Sequence, residues 1–291
     1  MPALVSDSSN DRKWQVRDLI LASVLAAISI VITQDVWRDM LNVSLKDEES
    51  SYILMVPVVI AILIWARRRS FATARISHNW IGTVLIGLGW AIWSAGYRNG
   101  SHASWYGGAD LMAFGCIVTV LGKDALFKFL PAVGALIFLI PVMNGRRHQI
   151  SGPLELMTAQ ATQAICEALR LNVQRHGNLL IANGIEVAVA EACNGMRMVF
   201  TLVLVCYLYA FAVPMRWYGR AMILALSPVI ALVCNVTRLV PTAWVYGHAS
   251  LSFANFFHDA TGWAMLGVGF LLLMAIGRAI RGSYPTAAAL A

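Results

Sequence analysis

Charge is scarce in this sequence. Of its 291 residues only 13% are charged, whereas 59% are hydrophobic. Soluble domains are typically about 25% charged, so the composition excludes a water-soluble globular fold and a disordered chain. A helix that spans a bilayer needs about 20 apolar residues, and this chain can supply several. The sequence therefore predicts an all-α polytopic membrane protein.

Cysteines and catalytic motifs are also few. The sequence has five cysteines, at Cys116, Cys166, Cys193, Cys206 and Cys234. They form no C-x-x-C pair, so neither a zinc site nor a redox dithiol is indicated. P-loop and H-E-x-x-H motifs are absent, and the basic residues form no stripe of the kind that binds nucleic acid. We therefore predict no cofactor, no metal and no nucleic-acid partner.

The apolar runs predict about eight spans in a single integral membrane domain that covers residues 1–291. The predicted spans lie at about 19–33, 52–66, 81–94, 109–121, 129–143, 198–213, 221–236 and 262–276. Flanking Trp and Tyr side chains are expected to complete the shorter runs at the membrane interfaces. Asp110 falls at the start of the fourth predicted span, and Lys123 and Asp124 follow that span.

The distribution of Lys and Arg orients the chain. With the N-terminus inside, 13 of the 22 basic residues fall in cytoplasmic segments, and the run Arg67–Arg69 is the strongest single anchor. This predicts a multi-pass protein with both termini cytoplasmic.

One long loop, residues 144–197, separates the fifth and sixth predicted spans and is placed outside. Apolar residues recur at helical spacing from Pro153 to Leu171, which predicts an amphipathic helix on the outer membrane face. The turn signals that follow, at His176–Asn178 and Asn183–Gly184, predict a small two-stranded β-hairpin that leads to Cys193.

Three polar residues fall at the ends of the last three predicted spans. Cys193 precedes the sixth span, Arg238 follows the seventh, and His258 precedes the eighth. One inward and one outward crossing separate Cys193 from Arg238, and no further crossing separates Arg238 from His258. The span count therefore predicts a thiol, a guanidinium and an imidazole at the same membrane face.

These three groups together are suited to acyl transfer. A nearby cation favours the reactive thiolate, an imidazole can take the thiol proton and protonate a leaving amine, and a guanidinium can stabilise an oxyanion. His248 is a rival for the imidazole role and Arg197 for the guanidinium role. Glu191 is a further candidate, either as a partner of His258 or Arg197 or as a solvated loop residue.

The same residues carry a resemblance to a known family. The sequence GNLLIANGIEVAVAEACNGMR from Gly177 to Arg197, then NVTR ending at Arg238, then HDATG beginning at His258, resembles the exosortase/archaeosortase family of membrane cysteine transpeptidases. The resemblance covers roughly residues 50 to 280. The chain differs in having Asn194 where the family commonly has Ser, and in having no Ser-His-Gly at Tyr52–Leu54.

The resemblance implies an enzyme with Cys193 as nucleophile, Arg238 as stabiliser of the thiolate or oxyanion, and His258 as proton-transfer residue. It implies membrane-anchored substrate proteins whose C-terminal sorting signal has a short motif such as Pro-Glu-Pro, one hydrophobic helix and a basic tail. Cleavage at the outer face of the bacterial cytoplasmic membrane would pass the acyl group to an unidentified acceptor amine, in bacteria that export surface proteins and produce exopolysaccharide. The alternative is a non-catalytic scaffold or transporter in polysaccharide export; a transporter would need polar residues at mid-membrane depth.

Overall fold

The computed structural model describes residues 12–13, 15–71, 75–76, 80–142, 144–188 and 195–282. The chain divides into two compact units. One comprises Met1–Asp47 and Ile53–Val142, and the other comprises Glu48–Tyr52 and Met143–Ala291.

The first unit is built mainly of helices. They are α1 (Val16–Ile32), α2 (Gln34–Lys46), α3 (Val56–Ala66), α4 (Arg68–Phe71), α5 (Trp80–Asn99), α6 (His102–Lys128) and α7 (Leu130–Gly134). Short 3₁₀ helices occupy Glu48–Met55 and Ala135–Leu139, and the first of them includes residues of both units. The strands β1 (Arg12–Lys13) and β2 (Arg75–Ile76) pair antiparallel.

A bend of 80° separates α1 from α2. Thr33 lies at this break, and its hydroxyl donates to the carbonyl of Ser29 at 2.8 Å while accepting from Trp37 Nε1 at 3.0 Å. The side chain thus bonds to residues on both sides of the break.

Glycine allows α5 and α6 to pack with their backbones in contact. Gly82, Gly89 and Gly96 recur every seven residues along α5, and a Cβ at any of them would meet backbone atoms of α6. Gly108 and Gly115 repeat the arrangement on α6 against α5. Small residues at helix interfaces in membranes have this effect, since no side chain holds the backbones apart.

We expect Gly89→Ala to destabilise this helix pair. The new Cβ would lie 2.7 Å from the backbone nitrogen of Met112 and 2.9 Å from the carbonyl oxygen of Gly108, so the helices would have to separate. Overpacking of this kind costs about 1–3 kcal/mol. Thermal unfolding in detergent measures the effect. Gly87→Ala on the same helix is the matched control, because nothing lies within 4 Å of its Cβ position; an equal loss of stability in both variants would contradict the packing argument.

The described residues contain five helices long and apolar enough to cross a membrane. They are Glu49–Ala66, Trp80–Asn99, His102–Gly122, Trp217–His248 and Leu251–Ala279. The bent pair α1–α2 makes a sixth if it is one span, while the predicted fifth and sixth spans correspond to the shorter apolar helices Leu130–Leu139 and Arg197–Ala212. A helical protein with several membrane spans is therefore confirmed, whereas the count of eight stays a prediction.

Several helices extend beyond the predicted spans, because they continue past the polar residues that interrupt the apolar runs. The fourth predicted span corresponds to a candidate span that begins at His102, so Asp110 lies eight residues inside it and not next to its start. Arg238 lies ten residues before the end of its helix at His248, and His258 lies seven residues after its helix begins at Leu251. All three polar side chains are therefore carried on helices.

The described part of the second unit contains four long helices and a small sheet. The helices are α8 (Asn144–Ala168), α9 (Gly195–Ala212), α10 (Trp217–His248) and α11 (Leu251–Gly282). Near the end of α10, Leu239 and Ala243 pack with Ala159 and Cys166 of α8 and with Leu180 of the sheet. A second buried cluster joins the last three helices through Leu202, Cys206, Ala210, Ile223, Ala231 and Leu273.

The sheet has three antiparallel strands, not the two that the hairpin prediction gave. Its strands are β3 (Val173–His176), β4 (Leu179–Ala182) and β5 (Ile185–Ala188). Both turn signals connect strands: Gly177, Asn183 and Gly184 have positive φ values of 66°, 51° and 83°. Each two-residue turn therefore reverses the chain, and two reversals make three strands.

The predicted helix is present as α8, but most of the apolar residues that predicted it do not pack against the protein. The buried side chains are Thr158, Ala159, Thr162 and Cys166, whereas Met157, Ile165 and Leu169 are exposed. The position of this helix on the outer membrane face stays a prediction.

Candidate active site

The hairpin of α10 and α11 brings the predicted arginine and histidine to one level. Only Ala249 and Ser250 separate the two helices. At 1.5 Å per residue, Arg238 lies about 15 Å from the turn on α10, while His258 and Gly262 lie about 10 and 16 Å from it on α11. Antiparallel packing therefore sets Arg238 opposite the turn of helix between His258 and Gly262.

Arg238 is buried, and both its side chain and its backbone carbonyl form hydrogen bonds. Its side chain is 4% exposed, and Nη2 donates to Oδ1 of Asn235 at 3.1 Å, one helical turn earlier. Its carbonyl accepts a 2.8 Å hydrogen bond from the Thr242 hydroxyl. Nε has no hydrogen-bond partner within the described part of the chain. A buried guanidinium keeps its charge, so this group is a fixed cation with donor capacity left for another molecule.

Gly262 provides the space that the guanidinium occupies. A Cβ at this position would lie 2.8 Å from Nη1 of Arg238. Gly262 follows His258 by four residues and so lies on the same face of α11. The contact shows that this face of α11 is turned toward Arg238.

His258 has one nitrogen engaged and one available. Its side chain is 15% exposed, and Nδ1 lies 3.2 Å from Oδ1 of the neighbouring Asp259. An ionised carboxylate only accepts, so this contact places the proton on Nδ1 and the lone pair on Nε2. Nε2 is buried and has no hydrogen-bond partner among the residues described. A basic nitrogen in this state can take a proton from a neighbouring group.

Arg197 is a second cation at the site. The positive charges of both Arg197 and Arg238 act on the His258 imidazole. Arg197 lies on α9, two residues after that helix begins at Gly195. The rival predicted from the sequence therefore lies within electrostatic range of the imidazole, as Arg238 does.

His248, the rival imidazole, is used structurally. Its Nδ1 lies 2.9 Å from the carbonyl oxygen of Trp244, so Nδ1 carries the proton. Nε2 then accepts from Nδ2 of Asn183, 3.4 Å away, in the turn between β4 and β5. Asn183 also donates to the carbonyl of Gly247 at 3.2 Å. His248 thus attaches the sheet to the end of α10, and it lies about 15 Å along that helix from Arg238.

The remaining predicted residues lie outside the described part of the chain. Cys193 and Glu191 belong to residues 189–194, which precede α9. Among the described residues, no three His, Cys, Asp or Glu side chains come together as metal ligands would.

Two residues at the site were not predicted from the sequence to have a role there. Asn235 precedes Arg238 by three positions, and Gly262 follows His258 by four. Both spacings correspond to one turn of helix, so they would have indicated the roles had both segments been predicted to be helical.

The fold and the site define a multi-pass helical membrane protein with a buried polar centre between its helices. Residues 37–275 match the family model of transmembrane exosortases. The chain therefore belongs to the transmembrane exosortase family, which confirms the resemblance found in the sequence. Comparison with curated proteins and with solved structures found no match.

Proposed function

We propose that this protein is a membrane cysteine transpeptidase whose nucleophile is Cys193. The observation that carries the proposal is the pairing of Arg238 with the His258 face of α11, with buried nitrogen atoms of both side chains left without a partner among the described residues. Cys193 precedes the first residue of α9 by two positions, and Arg197 of α9 acts electrostatically on His258. A thiol next to this centre would lie near a base, His258, and two cations, Arg197 and Arg238.

The reaction then proceeds in two halves. The Cys193 sulfur attacks the scissile carbonyl while its proton passes to Nε2 of His258. Arg238 stabilises the negative charge of the tetrahedral intermediate. The intermediate expels the amine of the C-terminal fragment, which takes the proton from the imidazolium, and a thioester remains on Cys193. An acceptor amine attacks this thioester and forms a new amide as the thiol is restored; water in its place gives the free acid.

Family membership supports the substrate class. The substrates would be membrane-anchored proteins with a C-terminal sorting signal: a short motif such as Pro-Glu-Pro, an apolar helix and a basic tail. The enzyme would lie in the bacterial cytoplasmic membrane with its termini inside, and cleavage would occur at the outer face. That orientation rests on the distribution of Lys and Arg.

Trapping of the thioester tests the proposal. The full chain is co-expressed with a protein that carries a Pro-Glu-Pro-type signal, and the membranes are treated with hydroxylamine, which cleaves thioesters. We expect a shortened substrate with a hydroxamate at its new C-terminus, and, without hydroxylamine, an acyl adduct on Cys193. Processing without an adduct on any cysteine would contradict the mechanism, and absence of processing would contradict this substrate class.

The other four cysteines make the adduct assignable. Cys116, Cys166, Cys206 and Cys234 are all free and buried. Cys166 lies in the same predicted loop as Cys193, and burial raises the pKa of its thiol. A buried neutral thiol is a poor nucleophile, so acylation is expected at Cys193 alone.

We expect Gly262→Ala to impair processing without loss of the protein. The added methyl group would occupy space 2.8 Å from Nη1 of Arg238, so the guanidinium would have to move away from the reaction centre. Displacement of one stabilising donor costs up to about 100–1,000-fold in rate, and we expect a loss of at least tenfold here because Arg238 can move partly aside. Processing rate at equal protein abundance is the measurement.

Gly267→Ala is the matched control for this substitution. Gly267 lies on the same helix, and nothing lies within 4 Å of its Cβ position. We expect it to process substrate at the wild-type rate. Equal losses in the two variants would mean that helix flexibility, and not the space for Arg238, matters at Gly262.

A further inference from the structure

Asp110 is a buried carboxyl group that the proposed chemistry does not use. Its side chain is 6% exposed, and neither carboxylate oxygen has a hydrogen-bond partner among the described residues. Another aspartate of the first unit, Asp39, does have a partner, because it accepts a hydrogen bond from the hydroxyl of Tyr106. Tyr106 lies one turn before Asp110 on α6. An ionisable residue in this state inside a membrane span is costly and usually has a function.

Asp110 lines a cavity of about 160 Å³ whose other side chains are apolar. The lining residues include Gly107, Leu111, Ile137 and Ile140. Ile137 is 68% exposed, so this wall of the cavity reaches the surface of the protein. The cavity offers an incoming molecule one polar group, the carboxyl, and otherwise apolar surface.

A larger apolar cavity adjoins the first. Its volume is about 690 Å³, and it shares Phe114, Val133 and Leu136 with the Asp110 cavity. One of its walls is a run of small residues on α1, formed by Ala22, Ser23, Ala26 and Ala27. Both cavities lie entirely within the first unit.

The depth of Asp110 restricts what can bind there. The candidate span His102–Gly122 is 21 residues long, or about 31 Å, which matches the hydrocarbon core of a bilayer. Asp110 lies about 12 Å along it. Lipid headgroups and water-borne cations remain nearer the interface, whereas a basic side chain on a membrane-spanning helix can be carried to this depth and paired there.

The small-residue wall favours the same occupant. Ala22 and Ala26, and likewise Ser23 and Ala27, are four positions apart on α1. Small residues at this spacing let a second helix approach closely. A second copy of this chain is a poor occupant, because Arg238 is the only Lys or Arg more than four residues from an end of the five candidate spans among the described residues, and Arg238 is buried.

We propose that Asp110 and the joined apolar cavities form a docking site for a transmembrane helix of another protein that carries a lysine or arginine within its apolar stretch. The helix packs along the small residues of α1, and its basic side chain pairs with the Asp110 carboxylate. The proposal does not depend on Cys193 or on the transpeptidase reaction.

Synthetic helices test the proposal. Two Leu/Ala peptides of membrane-spanning length carry, eight residues from one end, either lysine or norleucine, which has the same apolar stem without the ammonium group. Binding to the full-length protein is measured by energy transfer in phosphatidylcholine vesicles, with the peptides inserted in both directions. We expect the lysine peptide to bind wild type about tenfold more tightly than the norleucine peptide, a difference of about 1.4 kcal/mol.

Variants assign the preference to the site. Asp110→Asn keeps the shape of the side chain and should bind both peptides equally. Asp124→Asn is the matched control, because Asp124 already pairs with Lys128 at 2.9 Å, and it should keep the preference. Ala27 is an exposed residue in the α1 wall of the larger cavity, so Ala27→Leu should fill part of that cavity and weaken the binding of both peptides. Equal binding of the two peptides by wild type, or a preference that survives Asp110→Asn, would overturn the proposal.

A lipid amine is the competing occupant, and the vesicle composition separates it from a helix. We expect the preference for the lysine peptide to persist when phosphatidylethanolamine replaces half of the phosphatidylcholine. Loss of the preference under that change would mean that the lipid ammonium occupies the site, which would overturn docking by a helix.

Discussion

Replacement of Cys193 by alanine will abolish processing of a protein that carries a Pro-Glu-Pro-type sorting signal. The proposed mechanism has no route around the thiol, because the acyl group must be carried on sulfur between cleavage and transfer. The loss should therefore reach the detection limit of the assay. The measurement is the fraction of co-expressed substrate that loses its tail, compared at equal abundance of enzyme in the membrane.

Cys166→Ala is the control for this experiment. Cys166 is fully buried on α8 and packs with Val173 and Leu239, so its role is in the core. The substitution removes one buried sulfur atom and should lower stability slightly while processing continues. Processing by Cys193→Ala at the wild-type rate would contradict the cysteine mechanism, regardless of the result for Cys166→Ala.

The second large effect is expected from His258→Gln. Glutamine has about the same length and can form hydrogen bonds, but it cannot accept the thiol proton and return it to a leaving amine. General acid–base catalysis contributes about 100- to 10,000-fold, and we expect a loss in that range. Initial rates of substrate processing give the magnitude, and trapping with hydroxylamine shows whether acylation is the impaired step.

His248→Gln separates catalysis from structure. His248 accepts from Asn183 and donates to the carbonyl of Trp244, so its loss should loosen the sheet from the end of α10. We expect a lower melting temperature with processing within a fewfold of wild type. A reversal, in which His248→Gln is inactive and His258→Gln is active, would show that the wrong imidazole has been assigned.

Apolar runs predicted where the helices of this protein are, but not where they end. A hydropathy run stops at the first polar side chain, whereas a helix continues for as long as its backbone hydrogen bonds can form. Asp110 stood at the start of a predicted span, Arg238 followed one and His258 preceded one, yet each lies well inside a helix. The residues that interrupt the pattern are those that face the cavity or the site.

Packing partners were predicted less well than elements. The seven-residue spacing of Gly82, Gly89 and Gly96 is visible in the sequence. It does not by itself indicate which helix packs there, and the structure identifies that helix as α6, with Gly108 and Gly115 facing α5. The apolar residues of α8 correctly predicted a helix, but they do not indicate its buried face. In a membrane protein an apolar side chain can face lipid, so apolar spacing alone does not show which face is inside.

The residue types of the candidate site follow from the sequence, whereas its geometry follows only in part. The order of Cys193, Arg238 and His258 followed from motif and topology, and the structure brings Arg238 and the His258 face of α11 together. The rivalry between His258 and His248 could not be resolved from sequence, because both lie near the same turn. Only the hydrogen bonds of each ring distinguish a residue that anchors a sheet from one with a free nitrogen.

Because only two residues link α10 and α11, the number of residues between Arg238 and His258 determines how their side chains face each other. The two residues are 20 positions apart, and the interval consists of two rigid helix segments and a minimal link. One residue inserted between Leu251 and His258 would rotate the imidazole by about 100° and turn it away from the guanidinium. Natural variation in length should therefore be excluded from this interval, so the spacing of 20 residues can help to identify the same centre in other sequences.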